Sequence, residues 1–306
     1  MKFIKIIIGI CLISVLGYSA SAQQRPITGT YMYNGLLVNP AYAGSLNLFS
    51  ATFVHRDQWV NVDNAPVLQS FNAHTSLKKN RIGVGLQAFR DKIGVREQTG
   101  VYASYAYKIR MNKAILAMGI QGGFDNRVAD FSELNLFFQN DPLLTGVDTR
   151  MTPNFGTGIY LANRDFFIGL SVPYILENTI SNIEGAESRE SRYYYATAGN
   201  VITLNPNLKL SPSVLLRFQE NAKLSFDLNA NLIFENIAYA GVSYRSSNAL
   251  TFVFQLILND NLRAGYAYET ETSDIQTYTF GSHEILLNYR IKIKNAKKDP
   301  ACPVYF

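Results

Sequence analysis

The stretch 223–234 reads Lys-Leu-Ser-Phe-Asp-Leu-Asn-Ala-Asn-Leu-Ile-Phe, with apolar and polar residues in alternation. Successive side chains of an extended chain point to opposite faces, so Leu224, Phe226, Leu228, Ala230, Leu232 and Phe234 share one face. Lys223, Ser225, Asp227, Asn229 and Asn231 share the other, and Ile233 alone departs from the pattern. A face bearing Asp227, Asn229 and Asn231 requires water or a polar cavity. Ordinary strands average about 5–6 residues, whereas a bilayer-crossing strand takes about 9–11. The pattern therefore predicts a stave of a transmembrane barrel, apolar towards lipid and polar towards the lumen.

The same reading predicts fourteen strands, at 46–58, 67–77, 81–90, 98–109, 114–125, 154–163, 165–174, 193–203, 208–218, 223–234, 237–245, 249–258, 262–269 and 281–292. Leu116, Met118, Ile120 and Phe124 oppose Ala117, Gly119, Gln121 and Asp125. Ile285, Leu287, Tyr289 and Ile291 oppose Glu284, Asn288 and Arg290. The first strand and 193–203 are mixed on both faces. Connections after even-numbered strands are short: 78–80, 110–113, 164, 204–207, 235–236 and 259–261. Those after odd-numbered strands are often long, at 59–66, 91–97, 126–153, 175–192 and 270–280, with short exceptions at 219–222 and 246–248. Short on one side and long on the other is the asymmetry of periplasmic turns and extracellular loops. An even strand count then places both chain ends on the periplasmic side. A soluble sandwich or propeller would alternate too, but would explain neither the strand lengths nor the loop asymmetry.

The N-terminus strengthens the membrane reading. Lys2 and Lys5 precede an apolar run at 6–16, and Ser19-Ala20-Ser21-Ala22 supplies an Ala-x-Ala site, as in a secretory signal cleaved after Ala22. The apolar run is too short to be a helical span. Cys11 lacks the small residues of a lipobox before it. Cleavage lowers the formal charge from +5 to +3 by removing Lys2 and Lys5, too mild a balance for a nucleic-acid partner. It also removes Cys11 and leaves Cys302 alone, which excludes an intramolecular disulfide framework. Tyr and Phe number 19 each while charged residues are only 17%, a balance that suits a barrel in the outer membrane. The expected organisation is a cleaved signal at 1–22, a periplasmic or luminal segment at 23–45, the barrel at 46–292 and a periplasmic tail at 293–306.

Little in the chain carries chemistry. His55 and His74 lie on adjacent expected strands and could approach, but two imidazoles without a third ligand make no metal site. Ser282-His283-Glu284 resembles a catalytic run, yet neighbours on a strand face opposite ways, so Ser282 and His283 cannot meet. No catalytic group, cofactor or metal is expected. Gly83-Val84-Gly85 and the 119–123 glycines are read as thinning the barrel wall or lumen. Trp59 is read as an interfacial aromatic anchor. Lys292, Lys294, Lys297 and Lys298 form a solvated terminus, and Phe306 is separated from the last strand by Cys302-Pro303.

Early in the chain come Tyr31-Met32-Tyr33-Asn34 with Asn39-Pro40-Ala41-Tyr42-Ala43-Gly44, and Arg56-Asp57-Gln58-Trp59 with Ala65-Pro66 beyond it. Near the end come Gly265-Tyr266-Ala267-Tyr268, Gly281-Ser282-His283-Glu284-Ile285 and Cys302-Pro303. Together these stretches resemble the PorP/SprF proteins of the Bacteroidetes type IX secretion system. Asn64-Ala65-Pro66 departs from the glycine that the family more often places before its proline. The order and spacing span almost the whole mature chain. The resemblance implies a non-enzymatic outer-membrane barrel of the secretion and gliding machinery, serving export or surface anchoring of large adhesins with a C-terminal sorting domain. It marks Tyr31, Asn34, Asn39, Pro40, Gly44, Arg56, Gln58, Trp59, His283, Glu284, Cys302 and Pro303 as family-motif residues and possible partner contacts.

The other reading is a plugged transport barrel, FadL-like or porin-like, for small or apolar solutes, with 23–45 as the plug. For a secretion role, partners on the periplasmic side would meet the two terminal segments, with Tyr31, Tyr33 and Tyr42 as aromatic anchors, or the tail alone if 23–45 folds into the lumen as a plug.

Overall fold

The computed structural model describes residues 27–133, 146–183, 186–220 and 222–292. The signal-like segment and the tail with Cys302 and Pro303 lie outside the described residues. The strands are β1 (Phe49–Asp57), β2 (Val67–Leu77), β3 (Ile82–Ile93), β4 (Arg96–Arg110), β5 (Ile115–Asp130) and β6 (Val147–Ala162). They continue with β7 (Phe166–Val172), β8 (Thr179–Ile183), β9 (Ala186–Arg189), β10 (Tyr193–Asn200), β11 (Ile202–Asn205) and β12 (Leu208–Gln219). The last are β13 (Ser225–Phe234), β14 (Ala238–Arg245), β15 (Ala249–Ile257), β16 (Leu262–Glu271) and β17 (Ser282–Ile291). β10 and β11 are two parts of one stave broken at Val201, and β8–β9 is a separate hairpin, leaving a barrel of fourteen staves. Every neighbour is antiparallel, and β17 returns to β1 in register from Phe49↔Ile291 to Asp57↔His283. Closure removes the open edges that lipid could not satisfy.

The alternation read in 223–234 holds. Asp227, Asn229 and Asn231 are buried in the lumen, while Leu228 and Phe234 are exposed on the outside. Ile233 is turned inward and is 1% exposed, so the residue that broke the pattern belongs to the luminal face. On β17, Ile285, Leu287, Tyr289 and Ile291 face out, and Glu284, Asn288 and Arg290 face in. Across β1–β5 the register aligns an outward apolar row, Phe53, Phe71, Ala88, Val101 and Phe124. One rung nearer the loops the row is His55, Gln69, Arg90, Thr99 and Asn126, which marks where the apolar belt ends.

The ends of the barrel are unequal, as the connection lengths predict. One end carries the brief turns at 78–81, 111–114, 163–165, 206–207, 235–237 and 258–261, and β1 begins and β17 finishes there. The other end carries the longer connections. Three expectations are corrected at that end. The 91–97 loop does not exist: β3 and β4 pair to their tips and join through Gly94-Val95, with Gly94 at φ +56°. The 126–153 connection shrinks because β5 and β6 run 16 residues each, more than the about 9–11 that a tilted bilayer-crossing strand needs, and so extend past the hydrocarbon core. The 175–192 connection contains the β8–β9 hairpin.

Candidate functional site

A plug fills the lumen. Residues 27–48 enter the barrel as three short 3₁₀ turns, Tyr31–Tyr33, Gly35–Leu37 and Pro40–Tyr42. The breakers Pro40 and Gly44 explain why no longer element forms. Asn39 caps the third turn by accepting from Ala41 N at 2.9 Å, and Gly44 leaves it at φ +66°. An added Cβ at Gly44 would lie 2.6 Å from the Thr75 carbonyl oxygen, so this residue could carry no side chain.

The plug is fastened around the circumference. Gly29 N donates to Glu284 Oε2 at 2.6 Å and Thr30 N to Oε1 at 3.0 Å, and the Thr30 hydroxyl donates to the same carboxylate. Asn229 Nδ2 donates to the Tyr31 hydroxyl at 2.7 Å, and Tyr33 donates to Asn231 at 3.2 Å. Ser171 Oγ donates to Val38 O at 2.5 Å, and Asn39 Nδ2 donates to Ile159 O at 3.0 Å. Gly44 N donates to His74 Nδ1 at 3.1 Å, and Lys108 Nζ donates to Gly44 O. Burial pushes the Tyr31, Tyr33 and Tyr42 phenols above their usual range.

Glycines make the room. A Cβ at Gly83 would lie 1.9 Å from Ala43 O, and one at Gly119 would lie 2.3 Å from Ala41 N. Leu36, Ala41, Tyr42 and Ala43 pack there with Ala106, Ala117 and Tyr160 in an apolar cluster. Cavities of about 40 and 50 Å³ remain beside the plug, room for a few waters.

Glu284 is also the end of a chain of charges. Arg217 Nη2 lies 2.6 Å from Asp227 Oδ1, and Arg245 bridges Asp227 Oδ2 at 3.3 Å and Glu269 Oε2 at 3.2 Å. Arg56 bridges Glu269 Oε1 at 2.5 Å and Glu284 Oε2 at 3.4 Å. Three guanidinium groups thus meet three carboxylates, and their charges cancel within the lumen. Buried ions persist only when paired and hydrogen-bonded, and each of these is.

The described motif residues fall in the plug, on the luminal wall, in the 58–66 loop and on the outer wall. Tyr31, Asn34, Asn39, Pro40 and Gly44 are in the plug; Tyr31, Asn34, Asn39 and Pro40 are buried. In this arrangement Tyr31, Tyr33 and Tyr42 meet the barrel wall, and a periplasmic partner could not reach Tyr31 or Tyr42. Arg56 and Glu284 are inward, on paired strands. Trp59 is held by two hydrogen bonds: its indole N–H donates to Glu271 at 3.1 Å, and its backbone N–H donates to Ser282 Oγ at 3.2 Å. Gln58 donates its backbone N–H to Pro66 O at 2.9 Å, bracing the 58–66 loop. His283 faces outward, 2.6 Å from the Tyr266 hydroxyl, opposite to its neighbour Ser282.

His55 and His74 do not approach each other. His74 is luminal, and His55 points outward on the opposite face, several rungs away in the β1–β2 register. Among the described residues no group of three His, Cys, Asp or Glu side chains could hold a metal ion. Sequence reasoning missed Arg217, Arg245, Glu269 and the partnership of Asp227. The available signal was charge on the polar face of membrane-length strands, where an unpaired ion is too costly to keep.

The fold is similar to solved outer-membrane barrels. The toluene transporter TodX of P. putida matches with a TM-score of 0.50 at 11% identity, over 86% of this chain and 94% of that one. The CymD monoaromatic hydrocarbon channel matches at 0.48 and 11% identity, over 86% and 93%. Omp33 of Acinetobacter baumannii matches at 0.46 and 9% identity, over 82% and 100%. At such identities the likeness is one of fold. No curated protein matches the chain in sequence. The family model for the type IX secretion system membrane protein PorP/SprF matches residues 20–289, through the plug and every stave, and the chain belongs to that family.

Proposed function

We propose that this protein is a plugged, non-enzymatic scaffold of type IX secretion and gliding in the outer membrane, supporting export or surface anchoring of large adhesin-type cargo. The observation that carries the reading is the fastening of residues 27–48 to staves all around the lumen, from Glu284 and Asn229 to Ser171 and His74. A solute pathway would require those bonds, and the neutral charge chain behind Glu284, to be undone at every passage. A scaffold keeps them.

In this reading the chain is exported by a cleaved signal, the turn end lies in the periplasm and the loop end faces outward. The outer membrane has no ATP or ion gradient of its own, so other secretion components are met from the periplasm. With Tyr31 and Tyr42 buried, the tail 293–306, including Cys302 and Pro303, is the docking segment. Cargo with a C-terminal sorting domain meets the loop end, where Gln58 and Trp59 hold the 58–66 loop and His283 lies on the outer wall.

Mass spectrometry of proteins released and displayed by a deletion strain tests this reading. Loss of one or a few large adhesins, restored by the full-length gene, is the expected result. An unchanged set of exported proteins, with impaired uptake of a small apolar solute, would overturn it in favour of transport.

A further inference from the structure

The turns of the barrel are unequally charged. Those at 78–81, 111–114 and 163–165 are neighbours on the rim, because β2 to β7 are consecutive staves. Together they carry Lys78, Lys79, Arg81, Lys113 and Arg164, all exposed, against the single carboxylate of Asp165. The remaining turns at 206–207, 235–237 and 258–261 carry Glu235 and Asp260 and no cation. Among the turns, basic charge therefore gathers on one arc; elsewhere at this end Lys292 pairs with Asp260 and Lys209 donates to Asn236.

The backbone of the first turn is a second, independent sign. Lys78, Lys79 and Asn80 are all left-handed, at φ +47°, +58° and +66°. That conformation is disfavoured for any residue with a Cβ, and glycine or asparagine would adopt it at less cost. Lysine occupies two such positions, and Glu235 one in a turn of the opposite arc at φ +49°, so the backbone conformation dictates neither sign of charge. Position explains it better. Leu77, Ile109 and Met111, exposed apolar residues of the outer wall, directly adjoin this arc, so its cations lie at headgroup depth.

From this geometry we infer that the arc of Lys78, Lys79, Arg81, Lys113 and Arg164 binds the anionic headgroups of phospholipids in the adjoining leaflet. The short turns hold the cations close to the membrane surface, where an anionic leaflet attracts basic side chains. With the turn end in the periplasm, as proposed above, that leaflet is the inner one. An acidic protein is the competing occupant, but cations set beside lipid-facing Leu77 and Met111 favour lipid.

The test uses the purified full-length barrel in neutral detergent, offered equal amounts of phosphatidylglycerol and phosphatidylcholine, with retained lipid counted by mass spectrometry. The expected result is retention of phosphatidylglycerol several-fold over phosphatidylcholine. The preference should vanish between about 0.1 M and 1 M salt, as screening shortens from roughly 10 Å to 3 Å. It should also vanish in a variant combining Lys78→Asn, Lys79→Gly, Arg81→Gln, Lys113→Gln and Arg164→Gln, and persist in Lys292→Gln. The first two changes suit the left-handed backbone, and heat-modifiable migration verifies that the variant is folded. Equal retention of both lipids, or a preference indifferent to salt and to the variant, overturns the inference and leaves an acidic protein as the occupant. The assay is independent of orientation and of secretion, so either can fail without the other.

Discussion

Arg56 and Glu284 are cross-strand partners at the seam where the barrel closes, with Arg56 Nη1 3.4 Å from Glu284 Oε2. Glu284 then accepts the first hydrogen bonds of the plug. Two motifs 228 positions apart thus serve one purpose: the first strand and the last meet, and the pair that joins them fastens the N-terminal segment inside.

Removing that carboxylate should free the plug. Glu284→Ala leaves Arg56 with half its partners and the Gly29 and Thr30 amides unbonded, and breaking a buried pair costs about 3–5 kcal/mol. The expected outcome is a barrel that still migrates as folded but is cleaved by protease within residues 27–48. It should also show conductance in a planar bilayer. A silent, protease-resistant variant would show that Glu284 is not the anchor.

Filling the glycine wall should act in the same direction by steric means. Gly83→Leu and Gly119→Leu place side chains where Ala43 O and Ala41 N now sit, at 1.9 and 2.3 Å from the new Cβ. Overpacking typically costs about 1–3 kcal/mol, and displacement of the turn at Pro40–Tyr42 is its cheapest relief. Loss of the Tyr42–Tyr160 contact, read as increased solvent exposure of tyrosine fluorescence, is the measurement.

The two faces of β13 should respond differently. Leu228→Arg places a charge against lipid and should cost about 2–4 kcal/mol, impairing assembly. Asn229→Ala removes the hydrogen bonds to Tyr31 and Ser213, about 1 kcal/mol each, puts no charge against lipid, and should assemble normally. Urea titration of the refolded barrels compares the two. Equal losses would mean that Leu228 does not face lipid.

Orientation has a direct test. Tyr278 is 73% exposed at the loop end, and Asn207 lies in a two-residue turn at the other. Tyr278→Cys should react with an impermeant maleimide on intact cells, and Asn207→Cys only after the outer membrane is opened. The reverse order would invert the proposed topology.

The barrel was legible because its signal is local. Alternation in 223–234 follows from the geometry of an extended chain with lipid on one side, and needs no knowledge of what lies across the lumen. The same logic recovered β2 with both of its ends, and placed the brief turns at one end and the longer connections at the other. Where lipid no longer constrains the wall, it failed. The tips of β3 and β4 follow backbone pairing rather than hydrophobic pattern, so a loop was expected where Gly94 makes a tight turn.

The plug could not be read in that way. Residues 27–48 show breakers and no periodicity, and their order comes from partners far along the chain, such as Glu284 for Gly29, 255 positions away. A glycine at 83 or 119 announces missing bulk but not what occupies the space. The charge of Arg217 or Glu269 announces a need for a counter-ion but not which one. The sequence by itself determined the staves, their faces and the inequality of the two ends, because each depends on neighbours along the chain and on the bilayer. Only the tertiary structure decided that this segment does fill the lumen, and which staves hold it there. That outcome depends on close packing and charge pairing between residues that meet only when the barrel closes.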